Sequence, residues 1–126
     1  MLLEFTDRLL HGCVIVEVRG EVDYGSAPVL DQRLSAILTA RAPAVVLDLS
    51  RLRFLDCAAL RVLVAVERRA AAHGTALVLA APQPTVAKTL QITGLDRQFT
   101  VFPAVANAVT ASRAGWTQTG AGQMEV

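Results

Sequence analysis

Apolar and polar positions along this chain change period several times, and each change marks an element. Residues 12–20, Gly-Cys-Val-Ile-Val-Glu-Val-Arg-Gly, are β-branched and bounded by glycines. That predicts a strand with Val14, Val16 and Val18 on one face. Residues 2–7 form a weaker strand candidate, paired to it as a hairpin. Ser26-Ala27-Pro28 has the form of a helix start, a capping hydroxyl followed by proline in the first turn. Leu30, Leu34, Ile37 and Leu38 then recur at helical spacing. Pro43 closes the connection that follows. Residues 44–49, Ala-Val-Val-Leu-Asp-Leu, suit a strand buried on both faces, as in a parallel sheet.

Residues 50–56, Ser-Arg-Leu-Arg-Phe-Leu-Asp, read as a loop leading to a second helix. That helix spans about 57–73 and stops at Gly74, a common residue just beyond a helix end. Leu60, Leu63, Val64 and Val66 are its apolar side, and Arg61, Arg68 and Arg69 its polar one. Residues 76–81 predict another buried strand, broken by Pro82 and Pro84, which open a short helix ending near Gly94. A last short strand is expected within residues 95–102. A last helix follows over 104–113, with Val105, Ala108 and Val109 inward. From residue 114 to 126 no period survives, and a frayed tail is expected beyond a domain of residues 1–113. Strands alternating with helices imply one α/β domain: a mixed, mostly parallel sheet with right-handed crossovers and helices packed against it.

Composition narrows the function. Aromatic residues make up only 5% of a chain that is 53% hydrophobic, so the core is aliphatic and rich in alanine. A net charge of +1 gives no electrostatic reason to expect nucleic acid or a membrane surface as partner. The N-terminus has no basic start followed by an apolar run, and no apolar stretch approaches the roughly 20 residues of a membrane span. Cys13 and Cys57 are the two cysteines. With nothing else pointing to secretion, the expected location is the cytoplasm with both thiols reduced.

Candidate chemistry is sparse. There is no Gly-rich phosphate loop, and His11, His73, Cys13 and Cys57 have no metal-ligand spacing, so neither cofactor nor metal is expected. Cys57 stands where a helix begins, which favours a thiolate, but Asp56 beside it opposes that. Asp48 follows its strand much as a phosphoacceptor does in a response-regulator receiver. The acidic pair such a site needs is split here, Glu21-Val22-Asp23, and the single lysine, Lys88, falls inside a predicted helix. The reading is a binding protein rather than an enzyme.

Several pieces then recur in a recognisable order: Arg19-Gly20-Glu21-Val22-Asp23, Val45-Val46-Leu47-Asp48-Leu49-Ser50, Phe54-Leu55-Asp56-Cys57-Ala58-Ala59-Leu60, and Thr93-Gly94-Leu95 followed by Phe99. In this order the chain resembles, over about residues 3–112, the STAS domain of bacterial anti-sigma factor antagonists. The resemblance implies binding to an anti-sigma factor, often also a serine kinase, so that a sigma factor is released. It also implies a partner surface at Asp23, Asp56, Cys57, Ala58, Leu60 and Arg61, and a phosphoacceptor-equivalent position at Cys57 or Ala58. Neither of those two residues carries a hydroxyl, and Ala59 stands where the family has glycine. Asp56 also suits a helix N-cap and Asp23 a turn, roles compatible with partner contact. Arg61, Arg68 and Arg69 read as a solvated face, with a basic docking strip as the alternative. Ser50 reads as a turn residue, with a substitute phosphosite as the alternative. Two further readings stay open: a STAS subunit of another regulatory or transporter assembly, and a sensor based on Cys57. A homodimer is a further open alternative.

Overall fold

The computed structural model describes residues 3–38 and 43–113; the expected tail, residues 114–126, lies outside them. Five strands and four α-helices follow in the order β1 (Leu3–Leu10), β2 (Cys13–Val22), α1 (Ala27–Leu38), β3 (Ala44–Leu55), α2 (Cys57–Ala72), β4 (Ala76–Ala80), α3 (Pro84–Ile92), β5 (Val101–Phe102) and α4 (Val105–Arg113), with a 3₁₀ turn at Leu95–Arg97 before β5. The sheet order is β1-β2-β3-β4-β5. β1 is antiparallel to β2, and every later neighbour is parallel. The sheet is therefore mixed and mostly parallel, as the pattern implies.

Because the parallel strands are laid down in one direction, right-handed crossovers put α1, α2 and α3 on the same face. Their apolar residues close a single core with Val16, Val18, Val45, Leu47, Leu77 and Leu79 of the sheet. The residues between these, Cys13, Ile15, Val46 and Val78, face the other way and are covered by Ala108 and Val109 of α4. Small side chains at Ala44, Ala76 and Ala80 keep that second layer thin. Burial on both faces explains the near-continuous apolar runs of β2, β3 and β4.

Several boundaries differ from the sequence reading. Residues 50–55 are not a loop: β3 runs on to Leu55, alongside β2, which itself continues past Gly20 to Val22. Two register shifts, between Glu17 and Arg19 and between Gly20 and Glu21, break the two-residue alternation there. The mixed polar and apolar residues of this stretch hid the strand. They fall buried at Leu52 and Leu55 but exposed at Arg51, Arg53 and Phe54. β1 extends to Leu10, ending at a tight turn in which His11 (φ 51°) and Gly12 (φ 82°) are left-handed. Only Val101 and Phe102 of residues 95–102 pair with β4, and Ala81 lies outside β4, with a left-handed φ of 56° before Pro82. Arg69 is not simply solvated, since its Nη2 lies 2.7 Å from Asp31 Oδ1 and fastens α2 to α1.

Helix α2 offers a direct test of this layering. Leu63 is 2% exposed against the sheet, whereas the next residue, Val64, is only half-buried. Leu63→Ala is expected to cost about 2–5 kcal/mol and Val64→Ala clearly less, measured by urea denaturation of both variants.

Candidate functional site

Val22 and Leu55 are paired at the C-terminal ends of β2 and β3. The Asp56 amide continues that pairing by donating to the Val22 carbonyl at 3.1 Å. The two segments that leave these strands, residues 23–26 and the start of α2, therefore emerge side by side. This brings together the acidic turn and the helix start that the sequence reading singled out.

Asp23 and Ser26 lock the first segment. The Asp23 amide donates to Ser26 Oγ, and both the Ser26 amide and its hydroxyl donate to Asp23 Oδ1, each at 3.0 Å. The Asp23 carbonyl also accepts from the amides of Ser26 and Ala27. Ser26 thus turns its hydroxyl back to Asp23 rather than forward as a helix cap, and its carbonyl receives the amides of Val29 and Leu30. Donation from the Ser26 amide and hydroxyl holds the Asp23 carboxyl below the usual carboxylate range. Between the two locked residues, Tyr24 is 83% exposed.

Asp56 is the N-cap of α2. Its extended backbone (φ −107°, ψ −172°) lets Oδ1 accept from the Ala59 amide at 3.1 Å. Cys57 follows, exposed, then Ala58, half-buried against the main core. Ala59 is fully buried and Leu60 nearly so, while Arg61 is exposed. The burial at residue 59 accounts for a small side chain at that position. Cys13 is buried within the sheet layer, so the two cysteines are separate free thiols.

Other singled-out residues are spent locally. Asp48 is buried, and its Oδ1 accepts from the Ser50 amide at 3.0 Å. Ser50 lies within β3 rather than in a turn, and its carbonyl accepts from the Gln83 side chain. His73 caps the end of α2, with Nδ1 2.7 Å from the Arg69 carbonyl. Among the described residues no group of three His, Cys, Asp or Glu side chains is arranged to hold a metal, and no helix is long and apolar enough to cross a membrane.

An open groove of about 440 Å³ runs beside this helix start, walled by Cys57, Leu60, Arg61 and Val64 of α2 and, opposite, by Thr93 and Leu95. Ile92, 74% exposed, immediately precedes the far wall. The sequence reading reached Cys57, Leu60 and Arg61 but missed Tyr24, Val64, Ile92 and Leu95. The spacing 57, 60, 61, 64, 65, 68 on α2 was the available signal for the near wall; the far wall comes from another helix and turn, which periodicity does not reach.

Comparison with known proteins shows the family of the fold. The STAS domain family model matches residues 5–108. The chain is 27% identical over 105 residues to anti-sigma-F factor antagonist RsfB of Mycobacterium tuberculosis, covering 83% of this chain and 85% of that one. It is 31% identical over 114 residues to BtrV of Bordetella bronchiseptica, covering 90% and 95%. Among solved structures, an anti-sigma factor antagonist from Mycobacterium paratuberculosis superposes with a TM-score of 0.82 at 30% identity, covering 89% of this chain and 95% of that one.

Two measurements probe the locked turns. Asp56→Ala is expected to lower stability by about 0.5–2 kcal/mol, read from a thermal melt. Lowering of the Asp23 carboxyl adds stability that is fully present above the ordinary aspartate range and is lost as pH falls through the lowered folded-state value. Asp23→Asn should therefore bring the melting temperature closer to wild type in acid than at neutral pH, in a melt series from pH 7 to pH 2.

Proposed function

The chain belongs to the STAS domain family, and on that premise we propose that it is an anti-sigma factor antagonist that acts by binding rather than by catalysis. Its partner is an anti-sigma factor of the kinase-like kind, and its binding releases a sigma factor. The partner surface is the end of the sheet where the Asp23 turn and the residues Asp56, Cys57, Ala58, Leu60 and Arg61 emerge together. The observation that carries this reading is the amide of Asp56 on the Val22 carbonyl, which sets both segments on one edge. Each aspartate already holds backbone amides of its own segment. What this surface offers a partner is accordingly a fixed shape with exposed Tyr24 and Phe54 at the same end of the sheet, not a free acid or base. RsfB, named an anti-sigma-F factor antagonist, supports the assignment at modest identity.

The antagonist works without a phosphoserine switch at the start of α2. Phosphoryl transfer from ATP needs a hydroxyl oxygen, and Cys57-Ala58 supplies none. A phosphate there would add close to two negative charges beside Asp56, enough to disrupt a partner surface by repulsion and desolvation. With a thiol and a methyl instead, the surface gains no phosphate at this position.

The test mixes the purified protein with each kinase-like anti-sigma factor of its own cell, with its sigma factor and ATP. Complex formation and sigma release are expected, with no phosphate on residues 50–61 by mass spectrometry. Cys57→Ser and Ala58→Ser are the positive comparisons, and one of them should accept phosphate. Failure of every anti-sigma factor to bind would overturn the antagonist reading. Efficient phosphorylation of the unaltered protein at Ser50 would overturn the constitutive one.

A further inference from the structure

Helix α2 is apolar over more of its circumference than the protein covers. Ala59, Leu60, Leu63, Val66 and Ala70 are buried against the sheet and α1. A second stripe, at steps of three and four residues from Cys57 through Arg61, Val64 and Ala65 to Arg68, lines the groove instead. On its other flank α2 packs against α1 and is tied to it by the Arg69–Asp31 pair. Beyond the groove α3 packs on β3 and on the 3₁₀ turn. The helical layer thus has a gap between α2 and the Ile92–Leu95 segment.

We propose that this gap seats an acidic amphipathic helix of the partner, with apolar side chains over Leu60, Val64 and Leu95 and carboxylates against Arg61 and Arg68. The proposal rests on the antagonist reading and deepens it. Three observations select this occupant. The groove lining holds two arginines, Arg61 and Arg68, and no carboxylate. Among the described residues Arg61 and Arg68 take part in no ion pair, whereas Arg69 is engaged by Asp31. Arg61 and Arg68 stand seven residues apart on one helix, about 10 Å along its axis, and the whole wall from Cys57 to Arg68 spans about 16 Å, or three turns. A partner helix with carboxylates two turns apart, flanking an apolar strip, meets both charges at once. Apolar contacts then supply affinity, as in other helix-in-groove complexes. The rim arginines supply orientation and a rate of association that falls with salt.

Arg68 separates this proposal from the patch at the helix start, because it lies three turns from Asp56. Arg68→Glu in the full chain is expected to weaken binding of the anti-sigma factor at least tenfold, while Arg8→Glu, the same charge change on β1, leaves it within twofold. Circular dichroism on both variants should match wild type. Exposed Cys57 should be alkylated by iodoacetamide in the free protein and protected in the complex, with buried Cys13 slow in both. A complex that forms normally with Arg68→Glu and leaves Cys57 reactive overturns the groove and leaves the antagonist reading standing. If no anti-sigma factor binds, the antagonist reading fails, and a synthetic 18-residue amphipathic peptide with glutamates seven residues apart decides the groove by NMR titration. Shifts at Leu60, Val64, Ile92 and Leu95 that vanish in Arg68→Glu and in 0.5 M salt support it. No shifts there at millimolar peptide overturn it, as do equal shifts with a lysine-for-glutamate peptide.

Discussion

The pairing of β2 with β3 is the constraint on which the rest of the structure depends. Over its first half it is buried on both faces, so every polar side chain there must find an internal partner, as Asp48 does with the Ser50 amide. Over its second half Val22, Leu52 and Leu55 stay in the main core while Arg51, Arg53 and Phe54 are exposed, and the register shifts release its side chains from strict alternation. Because the pair holds together to Val22 and Leu55, and the Asp56 amide closes onto the Val22 carbonyl, two segments distant in sequence leave the sheet at the same place. The proposed partner edge follows from strand pairing and needs no contact between the two aspartate side chains.

Those aspartates do structural work of the same kind by different routes. Asp56 meets an orphan amide of the first turn of α2, the ordinary task of a cap. Asp23 builds a closed three-bond loop with Ser26 that sets the direction of entry into α1. Each fixes the backbone of its own segment, so under the proposed function a partner would meet an ordered surface and lose less entropy on association. The two carboxylates thus face amides of their own segments, whereas Arg61 and Arg68 of α2 are exposed and Arg69 is held by Asp31.

Much of this was legible in the sequence. The two-residue period of β2 and the unbroken apolar run of residues 44–49 gave the strands, since burial on one or both faces writes itself into composition. Asp56 before an apolar helix and Gly74 after it marked the bounds of α2. What escaped was nonlocal. The strand over residues 50–55 reads as a loop because its bulged register places arginines and a phenylalanine in solvent, and only the partner strand makes it a strand. Ser26 carries the right residue type for a cap, but its hydroxyl is taken by Asp23, an outcome that three-residue spacing permits without selecting. The far wall of the groove comes from Thr93 and Leu95, more than twenty positions beyond α2, and no periodicity within one helix signals it.

The groove and the start of α2 belong to one surface, and this bears on the proposed function. Cys57 is both the residue that follows the cap and part of the groove wall. A dianionic group at that point would stand beside Asp56 and within the same wall as Arg61, one helical turn along. It would offset the positive rim on which an acidic helix depends, so a modification of the helix start would act through the groove rather than by unfolding anything. Cys57 and Ala58 offer no hydroxyl for such a group. Under the proposed function, a helix start without an acceptor hydroxyl and two exposed arginines along the same helix act in the same direction, toward an acidic partner helix.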